Sequence, residues 1–164
     1  MIQMPSSIST RLQYQHKTVL DLIEGLSDEQ IRRSPEPGKW SVFEIIVHLQ
    51  TYQHTFINRV KNILEQDNPV FERYTAEADP LFHDQCGKST REVMHDLLVT
   101  RKTMSAEMIN FKPEDFCKTG IHPVFGTLNI LQWINFFLLH EAHHLFVIFK
   151  LTAGLTKESL SAGG

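Results

Sequence analysis

The chain has 164 residues, of which 41% are hydrophobic and 21% charged, and its formal net charge at neutral pH is −3. This balance is typical of a globular protein and excludes a disordered or strongly basic chain, so we expect no nucleic-acid partner. The length fits one domain, which we place at residues 1–164. Cys86 and Cys117 are far apart and form no CxxC pair, which predicts a reduced, cytoplasmic protein.

Neither the first residues nor the most apolar stretch indicates a membrane or an export signal. The opening residues MIQMPSSIST lack the apolar core of a signal peptide. The stretch 128–151 is apolar, but histidines, amides and a glutamate interrupt it too often for a membrane span. We therefore predict a buried helix there, no membrane partner, and a loose tail over residues 161–164.

The first predicted helix covers about residues 7–26, where apolar side chains recur at helical spacing. Ser27 with Gln30 three residues later matches a capping box and predicts one short extra turn. Residues 35–38, which hold two prolines and a glycine, then break the chain.

The second predicted helix begins after Ser41, which has Glu44 at the capping-box spacing, and fades near residues 67–69. Its apolar side chains recur at alternating spacings of three and four, as in a helix of a bundle. They are Ile45, Leu49, Tyr52, Phe56, Val60 and Ile63.

Residues 68–88 have no sustained period and are predicted to be irregular. A third helix follows from about residue 89 to 110, with a stripe at Val93, Leu97, Met104 and Met108. Residues 117–126 are rich in turn formers and indicate a connection or a small hairpin. The fourth helix is predicted from residue 127 to about 151, ending before Gly154.

Four such helices predict an all-α four-helix bundle. The connection between helices two and three is long enough to cross the bundle, since about 20 extended residues at about 3.3 Å each exceed a length of about 30–35 Å. Helices two and three can therefore run parallel, in an up-down-down-up order.

His140 and His144 stand out among nine histidines because they lie four apart in a segment whose apolar residues recur at helical spacing. Both imidazoles can then reach one metal ion from one face of the helix. They share that face with Trp133, Phe137 and Ile148, so it points inward. The alternative is a pair of core histidines bonded to other side chains or water. His16, His54, His83, His95 and His122 have no such pattern.

His48 is the candidate third ligand. It follows the expected start of helix two by seven residues, and His144 precedes the expected end of helix four by seven. If these helices are antiparallel neighbours, both side chains lie at the same level of the bundle. Three protein ligands leave a coordination position open, which is typical of a catalytic site.

The segment 140–144 also matches H-E-x-x-H, the zinc protease motif in which the glutamate is a general base. No further ligand pattern follows, and no strand precedes the helix to hold a peptide. Glu141 is more simply a surface carboxylate or a partner of a metal ligand.

Three segments together, Gly38-Lys39-Trp40-Ser41-Val42, His48-Leu49 and residues 140–144, resemble the DinB-like (damage-inducible) superfamily. That superfamily includes YfiT-like metal-dependent hydrolases and transferases that use the thiols bacillithiol or mycothiol. The resemblance covers about residues 8–152. It implies the up-down-down-up bundle, a metal triad at His48, His140 and His144, and a homodimer, with His143 not a ligand.

The resemblance leaves three functions open. The leading expectation is a low-molecular-weight-thiol S-transferase acting on a small-molecule substrate; the alternatives are a metal-dependent hydrolase and a non-enzymatic metal-binding stress-related module. Zinc is the expected metal because it suits three neutral imidazoles, and nickel, iron and manganese are alternatives. The sequence contains no cluster of Arg or Lys that would indicate a binding site for the carboxylates of a particular thiol cofactor.

Overall fold

The structure, a computed structural model, describes residues 3–161, and for residues 154 and 156–161 it describes the backbone alone. Four long helical segments form a bundle, and a two-stranded antiparallel hairpin lies before the last of them. The helices are α1 (Ser6–Tyr14), α2 (Thr18–Ile23), α3 (Asp28–Arg32), α4 (Val42–Glu65), α5 (Pro80–Cys86), α6 (Thr90–Ile109) and α7 (Ile130–Ser161). The strands are β1 (Thr119–His122) and β2 (Gly126–Asn129).

The two helices that carry the histidines run antiparallel. Near the start of α4, the ring of His48 lies 4.5 Å from that of His144. Two turns further along α4, Phe56 stacks at 4.4 Å on Phe137, which lies earlier in α7. The predicted antiparallel pairing of helices two and four is therefore present.

Two buried clusters give the remaining directions. The early halves of α4 and α6 share one cluster and their later halves share the other, so these two helices run parallel. In the first bundle helix, formed by α1 and α2, Leu12 belongs to the cluster with the later half of α4, whereas Val19 belongs to the cluster with its early half. The order is therefore up-down-down-up, and the predicted fold is confirmed.

Local capping signals start three of the helices. Ser27, Ser41 and Ser89 each accept a hydrogen bond from the backbone amide three residues later, and the side chain at that later position bonds back to the serine amide. Each pair satisfies two donors that a helix end leaves unpaired. The capping boxes predicted at Ser27 and Ser41 are both present.

The structure differs from the sequence-based boundaries at two helices. The first bundle helix is interrupted by a 3-10 turn at Gln15–Lys17. The fourth begins at Ile130 rather than 127, because residues 126–129 pair with β1 and because Asn129 and Gln132 cap the helix by reciprocal hydrogen bonds.

The end of α7 also differs from prediction. It continues to Ser161 instead of ending near residue 151. A glycine inside a helix costs only about 1 kcal/mol relative to alanine, so Gly154 alone does not end it. Of the tail predicted over residues 161–164, the last three lie outside the described residues.

The crossover between α4 and α6 contains α5 and a 3-10 turn at Ala76–Ala78, where the sequence predicted irregular chain. Its start is tied to the hairpin, since the Phe71 amide donates to the carbonyl of Ile121 at 3.0 Å. Its middle is held to the core by Ala76 and Phe82, which are buried beside α4. These contacts lay the crossover over the first half of α4, where His48 lies.

Within residues 3–161, no helix is long and apolar enough to cross a membrane.

Candidate metal centre

Three imidazoles meet between α4 and α7. His48 projects from the second turn of α4, and His140 and His144 project from successive turns of α7. The Nε2 atom of His140 lies 3.3 Å from that of His48 and 3.1 Å from that of His144. The three histidines named from the sequence are thus brought together, and in the described part of the chain they form a group whose ligand atoms all lie within 4.8 Å of one another.

The donor set fits a divalent transition metal. Ligands about 2.0–2.1 Å from a tetrahedral zinc ion lie about 3.3–3.4 Å apart, which is close to the two measured separations. A neutral imidazole offers one donor and one acceptor, so three Nε2 atoms around one point cannot all be paired by one another. A shared cation satisfies all three at once.

Burial keeps the three rings neutral. It lowers the pKa of His48 and of His140 to about 3, with neighbouring histidines as the next cause. Burial also lowers the pKa of His144 to about 4, followed by the effect of His143. Because a metal binds the deprotonated nitrogen, the rings are in the ligating form at neutral pH.

Aromatic side chains hold the rings in place. Tyr52 packs 4.4 Å from the ring of His140, and Trp40 packs 5.2 Å from that of His48. The buried Nδ1 atoms of His48 and His140 have no hydrogen-bond partner among the described residues. Ring packing, rather than a carboxylate at Nδ1, therefore orients these two imidazoles.

Glu141 is buried, with 1% of its surface exposed, and not on the helix surface as one of the sequence interpretations had it. Its carboxylate forms an ion pair with Arg101 of α6 and accepts a hydrogen bond from Gln15 at 2.9 Å. Arg101 also donates to Gln53 of α4 at 2.7 Å, so the network joins all four bundle helices. With both oxygens engaged in this way, Glu141 is not free to act as the general base of an H-E-x-x-H protease.

His143 is exposed and lies outside the triad. Its ring is 5.2 Å from that of His144, and it lines a cleft of about 530 Å³ beside the loop that contains Gly38 and Trp40.

A larger cleft of about 790 Å³ leads to the triad from the other side. All three histidines line it, together with residues of the crossover and the hairpin. Two arginines, Arg59 and Arg73, also line it, although no basic cluster is visible in the sequence. Arg59 could have been suspected, because it lies beside Phe56 and Val60 on the buried side of a bundle helix. Arg73 could not, because only the folded crossover brings it here.

The sequence profile of the DinB superfamily matches residues 11–148. The chain belongs to the DinB superfamily. The match includes all three histidines of the triad and the whole of α4 and α6.

Two relatives share a substantial part of the sequence. YuaE of Bacillus subtilis, whose function is uncharacterized, is 31% identical in an alignment of length 138 that covers 75% of this chain and 83% of that protein. A protein of Oceanobacillus iheyensis, provisionally named a metal-dependent hydrolase, is 27% identical over 139 residues, 82% of this chain and 75% of its own.

Two solved structures share the fold. YfiT from Bacillus subtilis, described as a probable metal-dependent hydrolase with an unusual four-helix bundle topology, superposes with a TM-score of 0.78 at 18% identity over 92% of this chain and 86% of that one. The four-helix bundle protein TT2238 gives a TM-score of 0.63 at 21% identity over 87% of this chain and 95% of its own. At these identities the likeness concerns the fold alone.

Proposed function

We propose that this protein is a metal-dependent S-transferase that joins a low-molecular-weight thiol to a small electrophile. His48, His140 and His144 would hold one divalent metal, with zinc as the expected ion. When bound, the metal would supply a Lewis acid that lowers the pKa of a thiol placed at its open position. In the overall reaction the thiol loses its proton, its sulfur bonds to the electrophile, and the leaving group departs with the electron pair of its broken bond.

The observation that carries this proposal is the triangle of Nε2 atoms at the inner end of an open cleft. A volume of about 790 Å³ lies in the range of ordinary small-molecule sites and has room for a thiol and an electrophile together. Two arginines line the cleft, which suits the negative charge that many small thiols carry. A small closed pocket would have argued against transfer.

The chain's own residues prepare the site in two ways. Burial holds the three imidazoles neutral, so no proton has to leave them before they can bind a cation. Trp40, Tyr52 and Tyr74 surround the ring of His48, and all three also line the cleft. The reacting groups would therefore meet beside an aromatic wall, which limits the water around them.

The test is a thiol-dependence assay on metal-loaded protein. Monobromobimane is supplied as electrophile with bacillithiol, mycothiol, glutathione or no thiol in parallel. We expect consumption above the uncatalysed rate with at least one thiol and none without thiol, and we expect His48→Ala to abolish it while the helical circular dichroism spectrum persists. The exposed His95→Ala is the matched control. Turnover without thiol, or full activity in His48→Ala, would overturn the proposal.

A hydrolase is the second candidate, favoured by the provisional names of the Oceanobacillus iheyensis relative and of YfiT. The same open position would then be used to activate water. This function predicts ester or amide cleavage with no thiol present, and the no-thiol arm run with such substrates separates the two.

We also propose that the chain forms a homodimer through the outer face of α7. Leu139, Phe146 and Phe149 lie on that face with exposed fractions of 56%, 59% and 51%. Their spacing of seven and three places them along one stripe, which a second copy would cover. Light scattering of the wild type should give the mass of two chains, and Phe146→Glu should give the mass of one chain. Val99→Glu, which changes an exposed residue of α6, is the control and should keep the mass of two chains. A wild-type mass of one chain contradicts this.

A cytoplasmic location is part of the same proposal, because Cys86 and Cys117 are both free thiols. Recovery of the protein outside the cytoplasmic fraction of its host would contradict it.

A further inference from the structure

Two arginines lie in the interior, and they differ in how their charge is balanced. Arg101 is 0% exposed and pairs with Glu141. Arg59 is 7% exposed, yet among the side chains that the structure describes no carboxylate lies within ion-pair distance of it. Burying a charge without a counter-ion costs free energy, so an anion bound beside Arg59 would stabilise the protein.

The contacts of Arg59 leave part of its guanidinium available. Nη2 donates to the carbonyl oxygen of Glu72 at 2.8 Å, and Nη1 donates to the hydroxyl of Tyr52 at 3.4 Å. The rings of Phe71 and Trp133 each lie 5.6 Å from the guanidinium carbon. Since a guanidinium carries five N–H donors and these two bonds use two, three have no acceptor among the described residues.

Arg59 and the triad line one cleft and are separated by one side chain. The ring of Tyr52 packs 4.4 Å from that of His140, while its hydroxyl contacts Arg59. A ligand little longer than a tyrosine side chain could therefore reach both the triad and Arg59.

A second donor lies on the same wall. The Nδ1 atom of His122 accepts hydrogen bonds from the amides of Val124 at 3.1 Å and Phe125 at 3.2 Å. A neutral ring fixed in this way carries its proton on Nε2, where it can donate. His122 lines the cleft with Arg59 and the exposed Arg73, and Glu77 is the acidic residue of that lining. The wall therefore offers donors and a net positive charge.

We propose that Arg59 binds a carboxylate of the molecule whose other end occupies the triad, so that the cleft selects substrates with an acid group a few bonds from the metal-binding atom. The triad end of this inference rests on the proposed function. The carboxylate end rests on the buried, unneutralised guanidinium. The ligand class is a short thiol acid, and a charge-assisted pair at Arg59 would set its orientation.

The first arm of the test uses protein loaded with cobalt(II), whose visible and near-ultraviolet spectrum changes when a thiol binds. Mercaptocarboxylates of increasing chain length are titrated against mercaptoalcohols of matched length. We expect one chain length of the acid to bind about tenfold more tightly than its alcohol, or better. If the thiols bind, equal affinities of acid and alcohol at every length would overturn the proposal, whether or not any variant folds.

The variants assign the preference to a residue. Arg59→Met should remove the advantage of the acid over the alcohol, measured as the ratio of the two affinities in the same variant. Arg73→Met, an exposed arginine of the same cleft, is the matched control and should keep most of the preference. An acid preference that survives in Arg59→Met and disappears in Arg73→Met would contradict the assignment.

The second arm contains no thiol and separates failure of the inference from failure of the proposed function. Zinc-loaded protein is titrated by calorimetry with glutarate and with its monoamide, which keeps one carboxylate for the zinc. We expect glutarate to bind at least about tenfold more tightly, and Arg59→Met to remove the difference. If no thiol changes the cobalt spectrum but glutarate behaves in this way, thiol transfer fails and the carboxylate site stands. Equal binding of glutarate and its monoamide to wild type overturns the site.

Discussion

Arg101 is fully buried, and one carboxylate balances its charge. Its guanidinium pairs with Glu141, and replacing it with methionine would leave that carboxylate buried without a counter-charge. Breaking a buried pair from one side costs about 3–5 kcal/mol. We predict that Arg101→Met lowers the free energy of unfolding by about that amount, measured by urea denaturation followed by circular dichroism.

The matched control removes both charges. In Arg101→Met with Glu141→Leu no charge remains unpaired, so much of the lost stability should return. A double variant less stable than Arg101→Met alone would show that the ion pair is not the reason for the loss.

His16 is a buried histidine outside the triad and makes stability depend on pH. Burial lowers its pKa from 6.5 to about 3, with the charges of Arg101 and Lys17 as smaller causes. Between these two values the unfolded chain binds a proton that the folded chain does not, so stability is lost as the pH falls below 6.5. The slope contributed by one such group is at most about 1.4 kcal/mol per pH unit.

The measurement is the free energy of unfolding of metal-free protein at several pH values from 6.5 to 4.5. We predict that His16→Gln flattens the dependence by up to one proton, while the exposed His95→Gln leaves it unchanged. Parallel curves for wild type and His16→Gln would contradict the pKa shift.

At the scale of elements, the start of α4 determines where His48 lies. Ser41 caps the helix seven residues before it, and a cap of this kind contributes about 0.5–2 kcal/mol. Ser41→Ala and Ser89→Ala should each lose about 1 kcal/mol of stability in urea denaturation. Only Ser41→Ala should also weaken zinc binding, because α6 carries no residue of the triad. Equal zinc affinities in the two variants would contradict this coupling.

Elements with local signals were predictable from sequence, and those set by tertiary contacts were not. The capping pairs at Ser27 and Ser41 involve residues three apart, so their spacing alone identifies them. By contrast, residues 127–129 carry a helical pattern but form a strand because β1 lies beside them. The 3-10 turn at residues 15–17 lies where Gln15 reaches the carbonyl of Leu138 and the carboxylate of Glu141, contacts that no local pattern announces.

In the candidate site, too, some residues were predictable from the sequence and others were not. His140 and His144 follow from helical spacing, and His48 follows from its level in an antiparallel pair, so their convergence could be anticipated. Metal binding itself stays a prediction. The walls of the cleft could not be anticipated, because Arg73 and Tyr74 belong to a crossover whose path depends on packing over α4. The burial of Arg101 was indicated by its position, since it lies between Leu97 and Met104 in the apolar stripe of α6.

At the scale of the whole molecule, the order of the helices brings the residues of the site together. A crossover that spans the bundle lets α4 and α6 run parallel, and α7 then returns beside α4 in the opposite direction. This arrangement brings His48 level with His144 and leaves the crossover and the hairpin as the two walls of the cleft. The bundle core does not depend on a metal, so substitutions at the triad should alter binding without unfolding the chain.

The central claim is that the three converging imidazoles bind one metal ion, and metal content tests it most directly. Protein prepared without a metal-affinity step is loaded with zinc, freed of excess and analysed for metal per chain, as wild type, as His144→Ala and as the neighbouring exposed His143→Ala. We predict about one zinc ion per chain in wild type and in His143→Ala, and most of it lost in His144→Ala, because two ligands bind weakly. Equal zinc in wild type and His144→Ala would contradict the account.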